Sequence, residues 1–580
     1  MSAALPVSAA LMDPQTEWAR MVMTAFADAG VRELVLSPGS RSTPFALAAT
    51  LEPRLRIHTI IDERAAGFFA LGQARVTGVP SLLLCTSGSA PAHYLPAIVE
   101  AHHAGIPLLA LTADRPLEAQ RAGAYQTIDQ TRLFGTQAEF FELGGVDATD
   151  GALRGSRRLV AQAYALASDG AVHMNARIRK PLEPAPAADE ERAASTRIRA
   201  AAGERLVRFD LAGRRANPVS EALRARIVEE TAGLIAVGPL ARPDAALRHA
   251  LVELSARSGY PLVVEPTSQV GAGISGALST VYAGTTTTRP RVIIQVGPPP
   301  VAATYQHLVA AAAHLEIFAT SDEVDADGFA HAVHVGDPAS ALLELANSLP
   351  PLQREPSLRA LHDHVGGALA SALAPTDELA SVLALARAVS RHDARVFVGN
   401  SLPVRELATA TALLPGCTLC SHHQRGASGI DGLCAGAAGL ASHGAPTLLL
   451  LGDVSLLHDL HGAWLAAQAT TPLVIAVVCN GGGRIFETLP IGRRDDLAAA
   501  LPMFTTPVAP DLAALARFCG MRYARTDAAD QVEAAVEAAR EHRGATLLEL
   551  VVEPTSAARW SARLAALVDA ALSSFPGAAS

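Results

Sequence analysis

Apolar runs that end in a glycine- or serine-rich turn and continue into an alanine-rich segment recur along most of this 580-residue chain. Clear examples are RELVLSPGSRS from residue 32, PSLLLCTSGSAPAHYLPAIVE from residue 80 and ARVFVGNSLPVRELATA from residue 394. Continuous apolar runs are typical of strands that are buried on both faces, and strands that alternate with helices form parallel sheets. The sequence therefore predicts an α/β fold of mostly parallel sheets flanked by helices.

Two stretches rich in alanine, glutamate and proline interrupt this pattern, at 182–204 and 345–363. Such a composition is typical of linkers between domains. We therefore expect three domains, at residues 1–185, 186–355 and 356–580, and we expect each to be built on its own mostly parallel sheet.

The two outer domains contain one similar segment. AHHAGIPLLALTADRP (101–116) and AAQATTPLVIAVVCNG (466–481) both run from an alanine-rich helix end through Pro-Leu into an apolar strand and a polar residue. Pro107 of the first segment aligns with Pro472 of the second. The likeness suggests that the outer domains share one topology.

Charge and composition argue against several function classes. The net charge of -9 at pH 7 is unfavourable for general nucleic-acid binding. No apolar run approaches the roughly 18 residues that a membrane helix needs, and MSAALPVSAALMDPQ has no basic residue before its apolar part, as a secretory signal would. We expect a cytoplasmic protein. The single lysine, Lys180, excludes a phosphate-binding GxxxxGK[ST] loop and disfavours pyridoxal chemistry.

The six cysteines do not indicate a disulfide framework in a chain of this length. CTLCSHH contains Cys417, Cys420, His422 and His423, which resemble half of a zinc site. No second pair of cysteines or histidines follows at a fitting spacing. We expect reduced, mostly buried thiols.

Polar residues follow two of the apolar runs. Thr447 to Leu451 indicate a buried strand that ends in Gly452 and Asp453, and Asn480 follows a second apolar run 27 residues after Asp453. Because ligands of doubly wound sheets bind beyond the carboxyl ends of the strands, we expect both side chains at one sheet edge. A carboxylate, an amide oxygen and a backbone carbonyl form the oxygen site that Mg²⁺ prefers, which phosphates usually complete. Singly, each residue also fits a solvated turn or a helix cap; their spacing favours a metal–diphosphate site.

The pair Gly452-Asp453 is followed by Asn480-Gly481, with 27 residues from the aspartate to the asparagine. This pattern resembles the diphosphate motif of thiamine diphosphate-dependent enzymes. Most members read GDG and NN, whereas this chain reads Gly452-Asp453-Val454 and Cys479-Asn480, so the metal-binding pair is retained. The resemblance implies thiamine diphosphate and Mg²⁺ or Mn²⁺ as cofactors, with Asp453, Asn480 and Gly482 as metal ligands. It also implies a diphosphate-binding C-terminal domain, a central domain and an aminopyrimidine-binding N-terminal domain.

In this family the active site lies at the interface of a homodimer or of a dimer of dimers, and a glutamate acts on the aminopyrimidine. The candidate is Glu63 in IHTIIDERAAGFFALGQARVTG, after an apolar strand and before a helix rich in small residues. By resemblance Glu63 is the catalytic residue, since a carboxylate beside N1′ promotes loss of the C2 proton. Asp62-Glu63-Arg64 also fits an ordinary helix start, because acidic residues favour a first helical turn.

Seven motifs in chain order narrow the resemblance to the 2-succinyl-5-enolpyruvyl-6-hydroxy-3-cyclohexene-1-carboxylate synthases of menaquinone biosynthesis. They are SPGSRSTP (37–44), DERAAGF (62–68), TSGSAPA (86–92), TADRP (112–116), GNSLPVREL (399–407), RGASGIDG (425–432) and GGGRIFETLP (481–490). The family's activity is the decarboxylation of 2-oxoglutarate and the addition of the resulting carbanion to isochorismate, which makes this chain a candidate transferase. Both substrates are dicarboxylates, and arginine binds carboxylate in a bidentate fork.

The resemblance assigns two sets of site residues. The implied cofactor-binding residues are Glu63, Ser401, Ile430, Gly452, Asp453, Val454, Ser455, Asn480, Ile485 and Phe486. The implied substrate-binding residues are Ser40, Arg41, Arg115, Gln126, Arg405, Arg425, Ile485, Phe486 and Leu489.

Two departures from the family pattern concern the substrates. Ala302 and Ala303 stand where the family usually has Ser-Lys, and Tyr125 stands before Gln126 where Asn is common. Two other functions stay open at this stage. One is another thiamine diphosphate-dependent 2-oxo acid decarboxylase or carboligase, and the other is a non-catalytic paralogue that binds the cofactor.

Overall fold

The computed structural model describes residues 13–209, 221–271, 273–275, 290–302, 304–321, 323–325, 327–352 and 357–575. Within these ranges the strands form three six-stranded sheets, and neighbouring strands are paired in parallel. Helices flank each sheet. The predicted α/β class and the three parallel sheets are confirmed.

The chain contacts divide the protein into two compact units. The first unit holds the first sheet and comprises residues up to 211 together with 424–443 and 459–466. The second unit holds the other two sheets and comprises 212–423, 444–458 and the residues from 467 onward.

The first sheet has the strand order β2-β1-β3-β4-β6-β5. Its strands are β1 (Glu33–Leu36), β2 (Arg56–Thr59), β3 (Ser81–Cys85), β4 (Leu108–Asp114), β5 (Glu139–Gly144) and β6 (Ala171–Arg177). The helices of this unit are Pro14–Ala29, Thr43–Thr50, Glu63–Thr77, Leu95–Ala104, Asp150–Leu166, Asp189–Ala202, Leu433–Ala441 and Leu460–Ala466. Strands β3 and β4 are buried along their whole length, as their continuous apolar sequences predict.

The middle sheet has the order β12-β11-β10-β7-β8-β9, which is the doubly wound arrangement with a strand-order switch between β7 and β10. Its strands are β7 (Gly233–Val237), β8 (Leu262–Val264), β9 (Ile274–Ser275), β10 (Val292–Val296), β11 (His314–Ala319) and β12 (Ala332–Val335). The helices in this part of the chain are Glu221–Glu229, Ala245–Ser258, Thr304–Ala311 and Pro338–Ser348.

The third sheet has the order β14-β13-β15-β16-β18-β17, which repeats the order of the first sheet strand for strand. Its strands are β13 (Arg395–Val398), β14 (His422–His423), β15 (Thr447–Gly452), β16 (Leu473–Cys479), β17 (Arg522–Thr526) and β18 (Ala545–Val551). The nearby helices are Ser357–Ser371, Glu378–Ser390, Leu402–Ala412, Asp453–His458, Ile485–Thr488, Pro502–Thr505, Leu512–Cys519, Ala529–Arg540 and Ser556–Ser573. The shared topology is confirmed, since β4 and β16 begin directly after Pro107 and Pro472 and take the same place in their sheets.

The linker predictions were wrong over two helices. Helix Asp189–Ala202 packs against helix Pro14–Ala29, with Ile198 in the core and Arg199 paired to buried Glu17 at 2.6 Å. Helix Ser357–Ser371 buries Val365 and Leu369. Alanine and glutamate are strong helix formers, so the composition that was assigned to linkers also suits packed helices. The domain limits at 185 and 355 stay predictions.

Three findings bear on the expected function classes. The six cysteines are free thiols, of which Cys85 and Cys434 are buried. Among the described residues, no three His, Cys, Asp or Glu side chains are grouped so that they could hold a metal ion. In the same ranges, each helix is too short or too polar to cross a bilayer.

Helices Glu63–Thr77 and Leu433–Ala441 cross at very short range within the first unit. A Cβ added to Gly72 would lie 2.1 Å from the carbonyl oxygen of Gly436, and one added to Gly439 would lie 2.1 Å from the carbonyl oxygen of Phe69. Glycine at these two positions therefore permits backbone-to-backbone packing. This packing fixes the helix that begins with Glu63.

We expect Gly72→Ala to destabilise the first unit by about 1–3 kcal/mol, the usual cost of overpacking a core, because the methyl group must push two helix backbones apart. The matched control is Gly155→Ala in helix Asp150–Leu166, where an added Cβ meets no atom within 4 Å. That change removes backbone entropy from the unfolded chain and should stabilise the protein by up to about 1 kcal/mol. Chemical denaturation followed by circular dichroism measures both. Equal effects of the two substitutions would contradict the close-packing interpretation.

Candidate active site

Asp453 lies directly after β15, at the carboxyl edge of the third sheet, and is 1% exposed. Its carboxylate accepts backbone N–H groups from Val454 at 2.7 Å, Gly481 at 2.9 Å and Gly482 at 3.1 Å. Burial raises the pKa of Asp453, and these three hydrogen bonds oppose that rise by stabilising the charged form. Asp453 thus holds the turn that follows the neighbouring strand β16.

Asn480 follows β16 and is also buried. Its side-chain Nδ2 donates to Oε2 of Glu378 at 2.9 Å, whereas its Oδ1 is buried and has no hydrogen-bond partner in the part of the chain that the structure describes. A buried amide oxygen without a partner is costly unless a ligand satisfies it. The structure therefore brings Asp453 and Asn480 together as predicted, and it leaves one oxygen available.

Gly482 completes this group, which we name the strand-end cluster (Asp453, Asn480 and Gly482). Gly482 has φ +133°, and a Cβ there would lie 2.4 Å from the carbonyl oxygen of Thr505. Its own carbonyl accepts the N–H of Arg484 at 2.8 Å and keeps a second lone pair. One carboxylate, one amide oxygen and one carbonyl match the donor set of a Mg²⁺ site that phosphate oxygens complete.

Two buried glutamates stand behind the strand-end cluster. Glu378 is in the first turn of helix Glu378–Ser390, and Glu406 is in helix Leu402–Ala412. The two carboxyl groups are close enough for each to shift the pKa of the other. Burial raises the pKa of Glu378 and raises the pKa of Glu406 well above its usual range. Sequence reasoning missed both residues because glutamate in a helix is ordinary.

The remaining predicted residues of the second unit lie on adjoining loops and short helices. Ser401 has φ +72°, an unusual conformation for a residue with a side chain, and precedes helix Leu402–Ala412. Arg405 donates from Nη1 to the carbonyl oxygen of Ser401 at 2.7 Å. Phe486 packs its ring 5.7 Å from that of Phe504, and Leu489 is 40% exposed.

Three further predicted residues of this unit lie in two short helices. Val454 and Ser455 belong to helix Asp453–His458, and Ile485 begins helix Ile485–Thr488. Arg484, which the sequence analysis did not select, donates from Nε to the carbonyl oxygen of Asn480 at 3.0 Å. It thereby fixes the backbone at the metal-ligand candidate.

Glu63 belongs to the first unit, where it is the first residue of its helix. Asp62, not Glu63, is the N-cap, because the Asp62 carboxylate accepts the N–H of Arg64 at 2.8 Å. Glu63 is half-buried, and burial raises the pKa of its carboxyl group. A partly desolvated carboxyl group of this kind suits proton transfer better than a solvated one.

Two arginines of the first unit have buried donor atoms that find no hydrogen-bond partner among the described residues. Arg41 is 5% exposed and donates from Nη1 to the carbonyl oxygen of Ile178 at 2.7 Å, but its Nε has no partner. Arg115 donates from Nη2 to the carbonyl oxygen of Tyr125 at 2.9 Å, and its Nε is also without a partner. Ser40 is exposed in the turn beside Arg41. Such unused donors are suited to an anionic ligand.

Gln126 is exposed with φ +56° and is fixed by two hydrogen bonds to Ser87. Its Nε2 donates to the carbonyl oxygen of Ser87 at 2.9 Å, and the Ser87 hydroxyl donates to the Gln126 carbonyl at 3.0 Å. Tyr125, one of the two departures, is 94% exposed. The other departure is the pair Ala302-Ala303, of which Ala303 lies outside the described residues. The N–H of Ala302 donates to Oε1 of Glu265 at 3.1 Å.

The RGASGIDG loop, which contains Arg425 and the half-buried Ile430, is held by a buried ion pair of the first unit. The Glu100 carboxylate accepts the N–H groups of Gly426 at 3.2 Å and Ala427 at 2.7 Å. It also pairs with Nη2 of Arg75 at 2.8 Å, and the two side chains are 3% and 1% exposed. One carboxylate thus positions the loop, a role that the sequence analysis did not predict.

Comparison with known proteins places these clusters in a family. Residues 16–133 match the family model described as the thiamine pyrophosphate enzyme N-terminal TPP binding domain, and residues 412–550 match its C-terminal TPP binding domain. The first range contains Glu63, and the second contains Asp453 and Asn480.

Three curated relatives carry the name 2-succinyl-5-enolpyruvyl-6-hydroxy-3-cyclohexene-1-carboxylate synthase. The protein from Sorangium cellulosum is 43% identical, with 94% of each chain covered. The one from Roseiflexus castenholzii is 35% identical over 92% of this chain and 95% of its own, and the one from Myxococcus xanthus is 34% identical over 97% and 98%. This chain belongs to that synthase family.

Two solved structures show the same fold as this synthase-family chain. A thiamin diphosphate-dependent enzyme from Mycobacterium smegmatis has a TM-score of 0.66 at 19% identity and covers 93% of this chain and 99% of its own. Benzoylformate decarboxylase from Polynucleobacter necessarius has a TM-score of 0.70 at 14% identity and covers 93% and 98%. At these identities the likeness concerns the fold alone.

We expect Glu100→Gln to destabilise this synthase-family protein by about 3–5 kcal/mol, because Arg75 is then left as a buried charge without compensation. The matched control is Glu533→Gln, since Glu533 pairs with the exposed Arg387 and Arg391 and its loss should cost less than about 1 kcal/mol. Hydrogen exchange of the peptide that contains Gly426 and Ala427 should accelerate only in Glu100→Gln. Unchanged exchange there would show that Glu100 does not hold the loop.

Proposed function

We propose that this chain catalyses the thiamine diphosphate- and Mg²⁺-dependent decarboxylation of 2-oxoglutarate and the addition of the remaining four-carbon unit to isochorismate. The products are 2-succinyl-5-enolpyruvyl-6-hydroxy-3-cyclohexene-1-carboxylate and CO₂, in menaquinone biosynthesis. The observation that carries the proposal is the strand-end cluster, in which Asp453 is fixed by three N–H groups and Asn480 Oδ1 has no partner. Membership of the synthase family supports the choice of substrates.

The cofactor's metal ion would be held by the Asp453 carboxylate, the Asn480 amide oxygen and the Gly482 carbonyl, with Mn²⁺ as an alternative to Mg²⁺. Gly452, Val454 and Ser455 are proposed to adjoin the diphosphate, and Ser401, Ile430, Ile485 and Phe486 the rings. When bound, thiamine diphosphate would supply a nucleophilic carbon and a sink for the electron pair of the C–C bond that breaks as CO₂ leaves.

Glu63 is proposed to exchange a proton with the aminopyrimidine. Its carboxyl group is half-buried, and burial raises its pKa. The higher pKa brings the proton affinity of Glu63 closer to that of the aminopyrimidine with which it would exchange a proton. Asp62 and Arg64 pair with each other through a 2.6 Å contact, which leaves the Glu63 carboxyl group uninvolved in helix capping. The residue can thus hold or release a proton without unwinding the helix start.

The substrates' carboxylates are proposed to bind the arginines. Arg41 and Arg115 each keep a buried Nε without a partner, and Arg405 and Arg425 are half-buried beside the GNSLPVREL and RGASGIDG turns. Ser40 and Gln126 would add neutral donors, and Leu489 would add an apolar wall. A homodimer or dimer of dimers with the active site at its interface, and a cytoplasmic location, belong to the proposal through the family resemblance.

The wild-type protein should release CO₂ from 2-oxoglutarate and consume isochorismate only when thiamine diphosphate and Mg²⁺ are both present. A coupled assay of CO₂ release and product mass measures this. Asp453→Ala should show no turnover while its far-UV circular dichroism is unchanged, because the metal loses its only carboxylate. Acetolactate formation from pyruvate, with no reaction of 2-oxoglutarate, would overturn the proposed function.

Glu63→Gln should keep thiamine diphosphate bound but slow exchange of its C2 proton by about 10²–10⁴-fold, the usual contribution of acid–base assistance. An amide cannot take up the proton as the carboxylate does. NMR in D₂O follows the exchange, and calorimetry checks binding. Asp62→Asn is the matched control, since asparagine is an equally good N-cap and exchange should stay within a few-fold of the wild type. If the C2 proton exchanged at the wild-type rate in Glu63→Gln, Glu63 would not be the catalytic residue.

A further inference from the structure

The orientation of the Asn480 amide is decided by one hydrogen bond. An asparagine side chain can turn either its oxygen or its NH₂ group toward a given neighbour. Here Nδ2 donates to Oε2 of Glu378 at 2.9 Å, and Oδ1 points to a position where the described protein offers it no donor. Only this orientation presents an oxygen, and thus a ligand, on the side away from Glu378.

A second buried glutamate lies beside Glu378. Glu406 is close enough to Glu378 for each carboxyl group to shift the pKa of the other, and Glu406 and Glu378 are 8% and 1% exposed. The backbone N–H of Glu378 donates to the hydroxyl oxygen of Ser556 at 3.2 Å, which fixes the start of its helix. Glu378 is therefore held in place while its Oε2 accepts from Asn480.

We propose that Glu378 is the positioning residue that turns Asn480 Oδ1 toward the metal of the cofactor. The proposal rests on the proposed function, since it concerns the same metal site. Partners of this kind behind metal ligands generally matter, and their substitution typically costs 10- to 100-fold in metal affinity. The hydrogen bond of Glu378 Oε2 is to the Asn480 nitrogen, so its positioning effect on the metal passes through the orientation of Asn480.

The first test is the isosteric change Glu378→Gln. Glutamine can present its NH₂ group to Asn480, and the Asn480 amide must then rotate to accept that bond. Mn²⁺ affinity, measured by electron paramagnetic resonance in the presence of thiamine diphosphate, should fall by about 10- to 100-fold. Thermal melting without metal shows whether the apoprotein is intact.

Two further variants separate positioning from a general loss of stability. In Glu406→Gln the Glu378 carboxyl group that accepts from Asn480 is kept, so Mn²⁺ affinity should stay within about threefold of the wild type. In the double variant Glu378→Gln/Asn480→Asp, the aspartate accepts from the glutamine and presents its other oxygen to the metal. That pair should recover at least tenfold in affinity over Glu378→Gln alone.

The outcomes distinguish this inference from the proposed function. Failure of the wild type to bind Mn²⁺ with thiamine diphosphate would overturn both. Wild-type binding together with unchanged affinity in Glu378→Gln would overturn the positioning role alone. If Glu378→Gln does not fold, the double variant decides, because it has the same glutamine and must fold and bind metal for the inference to stand. Equal losses in Glu378→Gln and Glu406→Gln, without recovery in the double variant, would show a merely structural pair.

Discussion

Three backbone N–H groups on one buried carboxylate hold the candidate cofactor site together. The groups come from Val454, Gly481 and Gly482, so Asp453 joins the turn after β15 to the turn after β16. An isolated carboxylate at this depth would be strongly disfavoured, and the amides offset its desolvation. The same bonds fix Gly482 and, through the short turn, Asn480. The metal-ligand geometry therefore follows from the local backbone once the aspartate is in place.

Buried charges elsewhere in the protein serve a similar purpose. Glu100 combines a buried arginine with two loop amides, and Glu378 accepts the amide of an asparagine 102 residues away. In both cases one carboxyl group fixes two segments that are distant in sequence. Replacing such a group with an apolar residue would free the loop or the amide that it holds. The free-energy cost of burying the carboxyl group is therefore offset by the fixed position of its partners.

Sequence reasoning found the strand-end cluster because its geometry is local. Parallel strands end at one edge, so an aspartate and an asparagine after neighbouring strands must meet. It also found the topology shared by the outer sheets from one aligned proline pair. It did not find Glu378, Glu406 or Glu100, since a helical glutamate reveals its burial only when its tertiary neighbours are known. For the same reason the helices Asp189–Ala202 and Ser357–Ser371 were assigned to linkers, because alanine and glutamate suit both states.

The atoms that the protein leaves unpaired are as informative as those it pairs. Within the described ranges, the buried atoms Asn480 Oδ1, Arg41 Nε and Arg115 Nε have no hydrogen-bond partner. Other atoms of the same side chains are hydrogen-bonded at 2.7–2.9 Å. Each side chain is therefore held rigidly while one polar atom remains available. The unpaired oxygen suits a cation, and the unpaired nitrogens suit anions. Because folding has already fixed these groups, little ordering is left for the moment of binding, which is how preorganised sites gain affinity and rate.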